Sequence, residues 1–214
     1  MKKQYLVIGL GRFGSSLAIT LCKKGAEVLA IDSDMELVEE HRSLLTEVIQ
    51  ADAMDKSVLE EIGVENFDVA IVTMGSDIRS GGTITMLLKE MGAKYVIAKA
   101  DDEFHGRMLT KLGADKVVFP ERDMGQRMAH NLLSEKILDF IELSPDYSLM
   151  EMRPRSSWLN KPLSELNLRS RYQINIVAIR TGENVNAMPD MNTRIGENDV
   201  LLVVAATQSL DKLD

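Results

Sequence analysis

The sequence predicts an α/β protein in which a Rossmann-like, doubly wound parallel sheet is followed by a small α+β subdomain. Three observations lead to this fold class. Short apolar segments alternate with longer amphipathic ones, a glycine-rich turn follows the first apolar segment, and the pattern changes near Glu121. We place the first domain at residues 1–136, including a long helix, and the second at residues 137–214.

Six segments rich in Val and Ile are the predicted strands of the parallel sheet. They are residues 5–8, 28–31, 47–49, 69–72, 95–98 and 116–119. Such segments are apolar on both faces because helices cover both sides of a parallel sheet. Gly25, Gly63, Gly92 and Gly113 each precede a strand, where a left-handed glycine ends a helix. Strands that alternate with helices predict a doubly wound sheet.

The second half has a different pattern. Met124, Met128, Leu132 and Ile137 recur at near-helical spacing, which predicts a long amphipathic helix. Its apolar face is either a dimer contact or an ordinary core face within the chain. Strand-like segments follow at residues 148–152, 174–179, 185–187 and 200–205, separated by turn signals.

The composition disfavours several classes of protein. The chain of 214 residues has 25 Lys and Arg against 33 Asp and Glu, a formal net charge of −8. Because neutralised phosphates supply most nucleic-acid affinity, we expect no nucleic-acid partner. Cys22 is the only cysteine, so a reducing, cytoplasmic setting is expected. No apolar stretch reaches the ~18 residues that cross a bilayer.

A GxGxxG turn directly follows the first predicted strand and opens the first helix. In such a turn Gly9 permits the bend, Gly11 lets a pyrophosphate approach the backbone, and Gly14 lets the helix pack closely. Amides at the helix N-terminus then hold the phosphates. Asp32 ends the second strand, where its carboxylate accepts hydrogen bonds from ribose hydroxyls and repels a 2′-phosphate. These features favour NAD or an adenosine nucleotide, the alternative being an empty turn that tolerates glycine.

The remaining candidate residues lie in the glycine turn or at carboxyl ends of strands, where ligands bind in this fold. They are Arg12, Phe13, Ser33, Asp52, Ala53, Met74, Gly75, Lys99 and Glu121. Arg12 and Lys99 are cations near the expected phosphates, although either could be a solvated surface residue. Asp77 is expected to cap a helix rather than to contact the ligand.

The Tyr95 and Lys99 pair and His105 are further candidates for catalytic residues. Tyr95 and Lys99 have the YxxxK spacing of short-chain dehydrogenases, but that pair must lie on a helix, and here it spans a predicted strand. His105 follows the same strand and is expected to be solvated or to cap a helix. No His or Cys cluster has the spacing of a structural metal site.

Segments 7–14, 30–32, 50–53, 98–100 and 112–121 form a distinctive set, joined by 163–169, 176–180 and 196–201. The chain resembles the cytosolic regulatory subunits of the Trk/Ktr potassium-uptake systems, which are built from an RCK domain. The resemblance implies a nucleotide-binding gating subunit that is not an enzyme. It also implies a homodimer that assembles into an octameric ring beneath a membrane potassium-translocating subunit, peripheral on the inner face of the plasma membrane.

The resemblance also implies ligands. The first domain would bind ATP, ADP or NAD(H), with Arg12 reaching the terminal phosphate across a subunit interface. Glu121 would lie beside a divalent or monovalent cation. Cyclic di-AMP would bind the second domain near Arg169, Asn175 and Ile176, although Gln173 stands where the family commonly has a small residue.

Two other functions remain open from the residues alone. An NAD-dependent oxidoreductase needs an acid or base near the nicotinamide and a substrate domain, and residues 137–214 contain neither His nor Cys. A redox-sensing repressor needs a basic helix-turn-helix, which is not evident in this acidic chain.

Overall fold

The computed structural model describes residues 2–75, 77–133, 137–144, 146–206 and 208, apart from the side chain of His130. The chain folds into two compact units, one ending at Arg122 and the other starting at Asp123. This division falls within a helix, Pro120–Leu133, which we label α6. Our assignment of that helix to the first domain stays a prediction.

The first unit is a parallel sheet of six strands in the order β3-β2-β1-β4-β5-β6. Its elements before α6 are β1 (Gln4–Ile8), α1 (Arg12–Lys23), β2 (Glu27–Asp32), α2 (Met35–His41), β3 (Glu47–Gln50), α3 (Lys56–Ile62), β4 (Val69–Val72), α4 (Ile78–Glu90), β5 (Val96–Lys99), α5 (Glu103–Lys111) and β6 (Lys116–Val118). The doubly wound sheet predicted from the alternating pattern is confirmed.

Helices cover both faces of this sheet. Leu6 and Ile8 belong to one buried cluster, and Val7, between them, belongs to another on the opposite face. Successive side chains of a strand point to opposite faces, so this strand must be apolar at every position. That is the physical reason for the uninterrupted Val and Ile segments in the sequence.

The sheet order places a crevice next to β1. β1 pairs with β2 on one side and with β4 on the other, through Ile8 opposite Ile31 and Val72. Strand order reverses there, so the connections leave β1 and β4 toward opposite faces. Ligands of open α/β sheets bind at such a switch point, beyond the carboxyl ends of the strands.

The predicted ends of helices are also confirmed. Gly25, Gly63, Gly92 and Gly113 all have positive φ, between 66° and 103°. Among the described residues, four aspartates cap helix N-termini by accepting backbone N–H bonds, Asp34 on α2, Asp55 on α3, Asp77 on α4 and Asp102 on α5.

The second unit is an antiparallel sheet in the order β10-β9-β11-β8-β7. Its elements are β7 (Ile137–Ser144), β8 (Tyr147–Met152), a 3₁₀ turn (Ser156–Trp158), α7 (Leu163–Leu166), α8 (Leu168–Tyr172), β9 (Ile174–Thr181), β10 (Asn184–Asn186) and β11 (Asp199–Ala206). Trp158 lies in its core at 2% exposure and contacts Tyr172 edge-on, with ring centroids 5.3 Å apart. The predicted α+β character of this region is confirmed.

One element differs from the sequence prediction. The near-helical spacing was extended to Ile137, but α6 ends at Leu133 and Ile137 begins β7. Ile137 and Phe140 are buried in the core of the second unit, and β7 pairs with β8, the next strand in the chain. Pairing and burial in the tertiary structure override the local periodicity. The predicted helix at residues 134–136 lies outside the described residues.

Across the described residues, no helix combines the length and apolar composition that a membrane-spanning helix requires.

Candidate functional site

The glycine turn between β1 and α1 is built by close backbone contacts. Gly9 has φ +98°, a conformation that side chains disfavour. A Cβ at Gly14 would stand 2.0 Å from the Gly9 carbonyl oxygen, so α1 approaches the turn only because Gly14 has none. The Thr73 hydroxyl donates to the Gly9 carbonyl oxygen at 2.8 Å and fastens the turn to the end of β4.

Gly11 differs from the other two glycines. It is the N-cap of α1 with an extended backbone, φ −61° and ψ −178°, which any residue can adopt. A Cβ at Gly11 would meet no atom within 4 Å. Neither the backbone nor packing within the chain therefore requires glycine here. A group that approaches the backbone from outside would require it.

Asp32 ties together two loops. Its Oδ2 accepts a hydrogen bond from the Leu10 amide at 2.6 Å, and its Oδ1 accepts one from the Asp34 amide at 2.9 Å. Each carboxylate oxygen can accept a second bond, so ribose hydroxyls remain possible partners. Asp32 thus has a structural role that the sequence motif did not reveal.

A small cavity opens beside this carboxylate, at the carboxyl ends of β1, β2 and β4. Six of the predicted site residues line it, namely Gly9, Asp32, Ser33, Asp52, Ala53 and Met74. Its volume is about 30 Å³, which suffices for one water-sized group.

A second group of predicted residues lies further along the same edge of the sheet. Lys99, at the end of β5, places its Nζ 2.6 Å from Glu121 Oε1 and 3.7 Å from Asp101 Oδ1. The hydrogen bond from Lys99 lowers the pKa of the Glu121 carboxyl, and the charge of Arg12 lowers it further. Glu121 is therefore an anion at neutral pH, held between cations.

Gly75 provides the space for this ion pair. A Cβ there would come 2.2 Å from Asp101 Oδ1 and 3.0 Å from Lys99 Cε. Asp101 and Thr73 are two residues of this site that our reading of the sequence missed. Thr73 lies one residue and Asp101 three residues beyond a predicted strand end, which is the signal that could have identified them.

Arg12 and Phe13 begin α1. Neither side chain makes a hydrogen bond or an ion pair with another described residue. Arg12 acts on Glu121 through its charge. The structure thus brings the predicted residues of the first unit to one edge of the sheet, as two neighbouring groups.

The acidic side chains near Lys99 are the feature of this site that bears on a metal ion. The described part of the chain contains no cluster of three or more His, Cys, Asp or Glu residues suited to a metal. Two carboxylates, Glu121 and Asp101, do flank the Lys99 ammonium group. Mg²⁺ in proteins is commonly bound by one or two carboxylates together with phosphates of a nucleotide. If phosphates supplied the other ligands of a cation, Glu121 and Asp101 are the carboxylates that could contact it.

The structure decides two predictions, one about the Tyr95 and Lys99 pair and one about His105. Val96–Lys99 is a strand, as expected, so Tyr95 and Lys99 lie at opposite ends of it rather than on one helix face. The prediction for His105 was wrong: the residue is 0% exposed, and neither ring nitrogen has a hydrogen-bond partner among the described residues. Its position in α5 faces the core, which its sequence context did not indicate.

The second unit has a cavity of its own, of about 340 Å³. Arg169, Asn175 and Ile176 all line it, together with residues of α7, α8 and the loop at 189–191. The three residues that the family resemblance singled out in this unit are therefore brought together.

Gln173 ends α8 beside this cavity in the left-handed conformation, with φ +57°. That conformation costs a residue with a Cβ about 1–2 kcal/mol, and glycine escapes the cost. Gln173 therefore adopts this conformation at a cost that glycine would not have.

Comparison with known proteins identifies the family of the chain. Family models of the TrkA-N domain and the TrkA-C domain match residues 5–120 and 149–214. The chain is 39% identical over 214 residues to Ktr system potassium uptake protein C of Bacillus subtilis (strain 168), covering 100% of this chain and 97% of that protein. It is 34% identical over 212 residues to Ktr system potassium uptake protein A of the same organism, covering 99% and 96%.

Solved structures share the fold. The GsuK channel aligns with a TM-score of 0.72 at 16% identity, covering 99% of this chain and 38% of the channel chain. The GsuK channel bound to NAD aligns with a TM-score of 0.71 at 15% identity, covering 100% and 39%. The chain thus spans less than half the length of these channel chains, and at this identity the likeness extends to the fold alone.

The fold is a Rossmann-like unit with a glycine turn, followed by a small antiparallel unit, and the two units contain the matches to the TrkA-N and TrkA-C domains. The chain belongs to the Trk/Ktr family of potassium-uptake proteins.

Proposed function

We propose that this protein is a nucleotide-binding regulatory subunit that controls a membrane potassium-translocating subunit of the Ktr or Trk type. The observation that carries the proposal is Gly11, which the fold itself does not require. Family membership connects the site to potassium uptake, since the relatives with 39% and 34% identity are named as potassium uptake proteins.

The proposed ligand of the first unit is ATP, ADP or NAD(H). Its pyrophosphate lies against the amides at the start of α1, and its ribose hydroxyls donate to Asp32. The adenosine lies over Ser33, Asp52, Ala53 and Met74. Terminal phosphates reach toward Gly75, Lys99 and Glu121, the last of which holds a divalent or monovalent cation beside them.

Ligands with different terminal charge would act differently on this edge of the sheet. An additional phosphate meets the cations Arg12 and Lys99, whereas a shorter nucleotide leaves them with Glu121. If two assembly states bind these ligands unequally, the nucleotide shifts their populations. We propose such a non-enzymatic switch rather than hydride transfer as the function.

Calorimetric titration with ATP, ADP and NADH tests ligand binding and gives an affinity for each nucleotide. Native mass spectrometry with each ligand tests the homodimer and the octameric ring. Growth in limiting potassium tests the physiological role in a strain without other uptake systems. Deletion of this chain should abolish growth there, and normal growth would contradict the transport role.

The proposed localisation is the inner face of the plasma membrane, where the membrane subunit binds the chain. Fractionation tests this directly. The chain should sediment with membranes when the membrane subunit is present and remain in the cytoplasm when it is deleted.

We also propose that the second unit binds cyclic di-AMP in the cavity lined by Arg169, Asn175 and Ile176. An arginine and an amide at the edge of an apolar cavity suit a ligand with both phosphates and bases. Arg169→Ala should then weaken the binding of cyclic di-AMP. Arg171→Ala is the matched control, since Arg171 is exposed on the same helix but does not line the cavity.

A further inference from the structure

A groove of about 670 Å³ lies on one face of the parallel sheet, over β2 and β3 and beside α3. Clefts that bind ligands commonly have volumes of roughly 300–1,000 Å³. None of the residues predicted for the nucleotide site lines this groove. Its floor consists of half-buried apolar side chains that pack against the core below, namely Leu29, Ile49, Ala51, Ile62 and Phe67. We call it the α3 groove.

The α3 groove is open because α3 is short. The seven residues of α3 extend about 10 Å at 1.5 Å per residue, whereas the six residues of β2 extend about 20 Å. The helix buries Leu59 in the core and leaves Val58 and Ile62 along the groove. Part of the apolar face of β2 and β3 therefore has no helix over it.

The groove lies beside an open strand edge. β3 is the last strand of the sheet on this side and pairs with β2 alone. Directly after β3, the Ala51 amide donates to the Asp32 carbonyl oxygen of β2 at 2.9–3.0 Å spacing typical of the ladder, at 3.0 Å. Successive amides of a strand point to opposite sides, so the amides of Val48 and Gln50 point to the open edge. Addition of an extended peptide to such an edge is a recurring mode of recognition.

The rim of the groove is negatively charged. Glu27, Glu47 and Glu61 line it, and none of them forms an ion pair with a lysine or arginine of the described chain. Glu60, the neighbour of Glu61 on α3, differs because it pairs with Lys56 at 3.3 Å. An apolar floor, an open strand edge and an unneutralised acidic rim together suit an extended segment that carries apolar and Lys or Arg side chains.

Charge also favours one source for such a segment. The chain has a formal net charge of −8, so a second copy brings mainly like charge. The cytoplasmic leaflet of a membrane is itself anionic and repels an acidic surface. Cytoplasmic loops of membrane proteins, in contrast, carry an excess of Lys and Arg.

We propose that the α3 groove docks an extended, basic cytoplasmic segment of the membrane subunit. The segment adds to β3 as a further strand and places its cations against Glu27, Glu47 and Glu61. This inference rests on the proposed function, because it requires a membrane partner. The partner and the nucleotide then use separate surfaces of the same sheet.

Glu61→Lys tests the docking, since it reverses one charge of the rim. The full-length protein binds the membrane subunit of the same organism in phosphatidylcholine nanodiscs, and biolayer interferometry gives the Kd. The variant should raise the Kd by about fivefold at low salt, and the difference should shrink as salt screens the charges. Glu60→Lys is the matched control, because the same change on the next residue lies outside the groove and should alter the Kd less than about twofold.

Hydrogen exchange tests the added strand. In the complex, the amides of Val48 and Gln50 should exchange at least about tenfold more slowly than in the free protein. β6, the opposite edge strand of the sheet, is the control and should exchange as it does in the free protein. Unchanged exchange along β3 would overturn the strand addition.

The outcomes separate the docking surface from the proposed function. If the wild type binds the membrane subunit and Glu61→Lys binds it equally tightly, or if Glu60→Lys weakens binding as much, the docking surface is wrong and the regulatory function stands. If the wild type does not bind the membrane subunit, the proposed function fails and the docking fails with it. A change of oligomeric mass in Glu61→Lys without a change in Kd would assign the groove to a contact between copies and overturn the proposal. Glu61→Gln repeats the test if the lysine variant does not fold.

Discussion

Replacing Gly11 by alanine separates a glycine kept for a ligand from glycines kept for the fold. The backbone at Gly11 suits alanine, and the added methyl group would meet no protein atom within 4 Å. Gly14→Ala is the matched variant, because its methyl group would stand 2.0 Å from the Gly9 carbonyl oxygen. Both variants add one methyl group to the same turn.

The two variants differ in their expected effects on stability. Alanine at Gly11 gains about 0.4–1 kcal/mol from the unfolded chain. It loses a similar amount because alanine is a poorer N-cap than glycine. The free energy of unfolding should therefore stay within about 0.5 kcal/mol of the wild type. Gly14→Ala should lose about 1–3 kcal/mol, the usual cost of overpacking.

Binding should respond differently from stability. If the pyrophosphate lies against Gly11, the methyl group costs about 1–3 kcal/mol of affinity, a factor of roughly 5 to 150. Urea denaturation followed by circular dichroism gives stability, and calorimetry with ADP gives affinity. A Gly11→Ala protein that binds ADP as tightly as the wild type would refute the placement of phosphate at this turn.

Three further predictions concern the rest of the chain. Gln173→Gly should raise the free energy of unfolding by about 0.5–1 kcal/mol, because glycine adopts the left-handed conformation without cost. Burial opposes ionisation of Asp115, but hydrogen bonds from the first amide of β5 and from Lys89 outweigh it and lower the pKa of the Asp115 carboxyl. This stabilisation is present above the unfolded value of about 3.9 and is lost as pH falls through the folded pKa, so Asp115→Asn should flatten the acid limb of stability against pH. Met128→Glu should weaken the proposed dimer, since this exposed apolar side chain lies on α6.

Each of these predictions has a measurement that can contradict it. For Gln173, urea denaturation of Asn167→Gly is the control, because asparagine tolerates φ +47° better and should gain less. Equal gains would show that the left-handed conformation is not the cause. For Asp115, an unaltered slope in acid would exclude its contribution. For Met128, sedimentation at several concentrations measures the dimer, and an unchanged dimer would exclude Met128 from the interface.

Local chemistry made much of the first unit predictable. Uninterrupted Val and Ile segments indicate strands covered on both faces, and glycines before strands indicate left-handed helix ends, which the φ values confirm. The GxGxxG turn and Asp32 located the site because both are read over a few residues. The family resemblance then connected the two halves of the chain.

Only the tertiary structure decided which contacts those residues make. Asp32 accepts hydrogen bonds from two backbone amides. The side chain of Lys99, 12% exposed, lies beside Glu121 and Asp101. Ile137 begins a strand rather than ending a helix. The contacts of Asp32 with Leu10, of Lys99 with Glu121 and of Ile137 with Met152 join residues at least 15 positions apart, which periodicity and short motifs do not report. Local sequence sets the conformations available to a segment, whereas burial and charge pairing across the fold select among them.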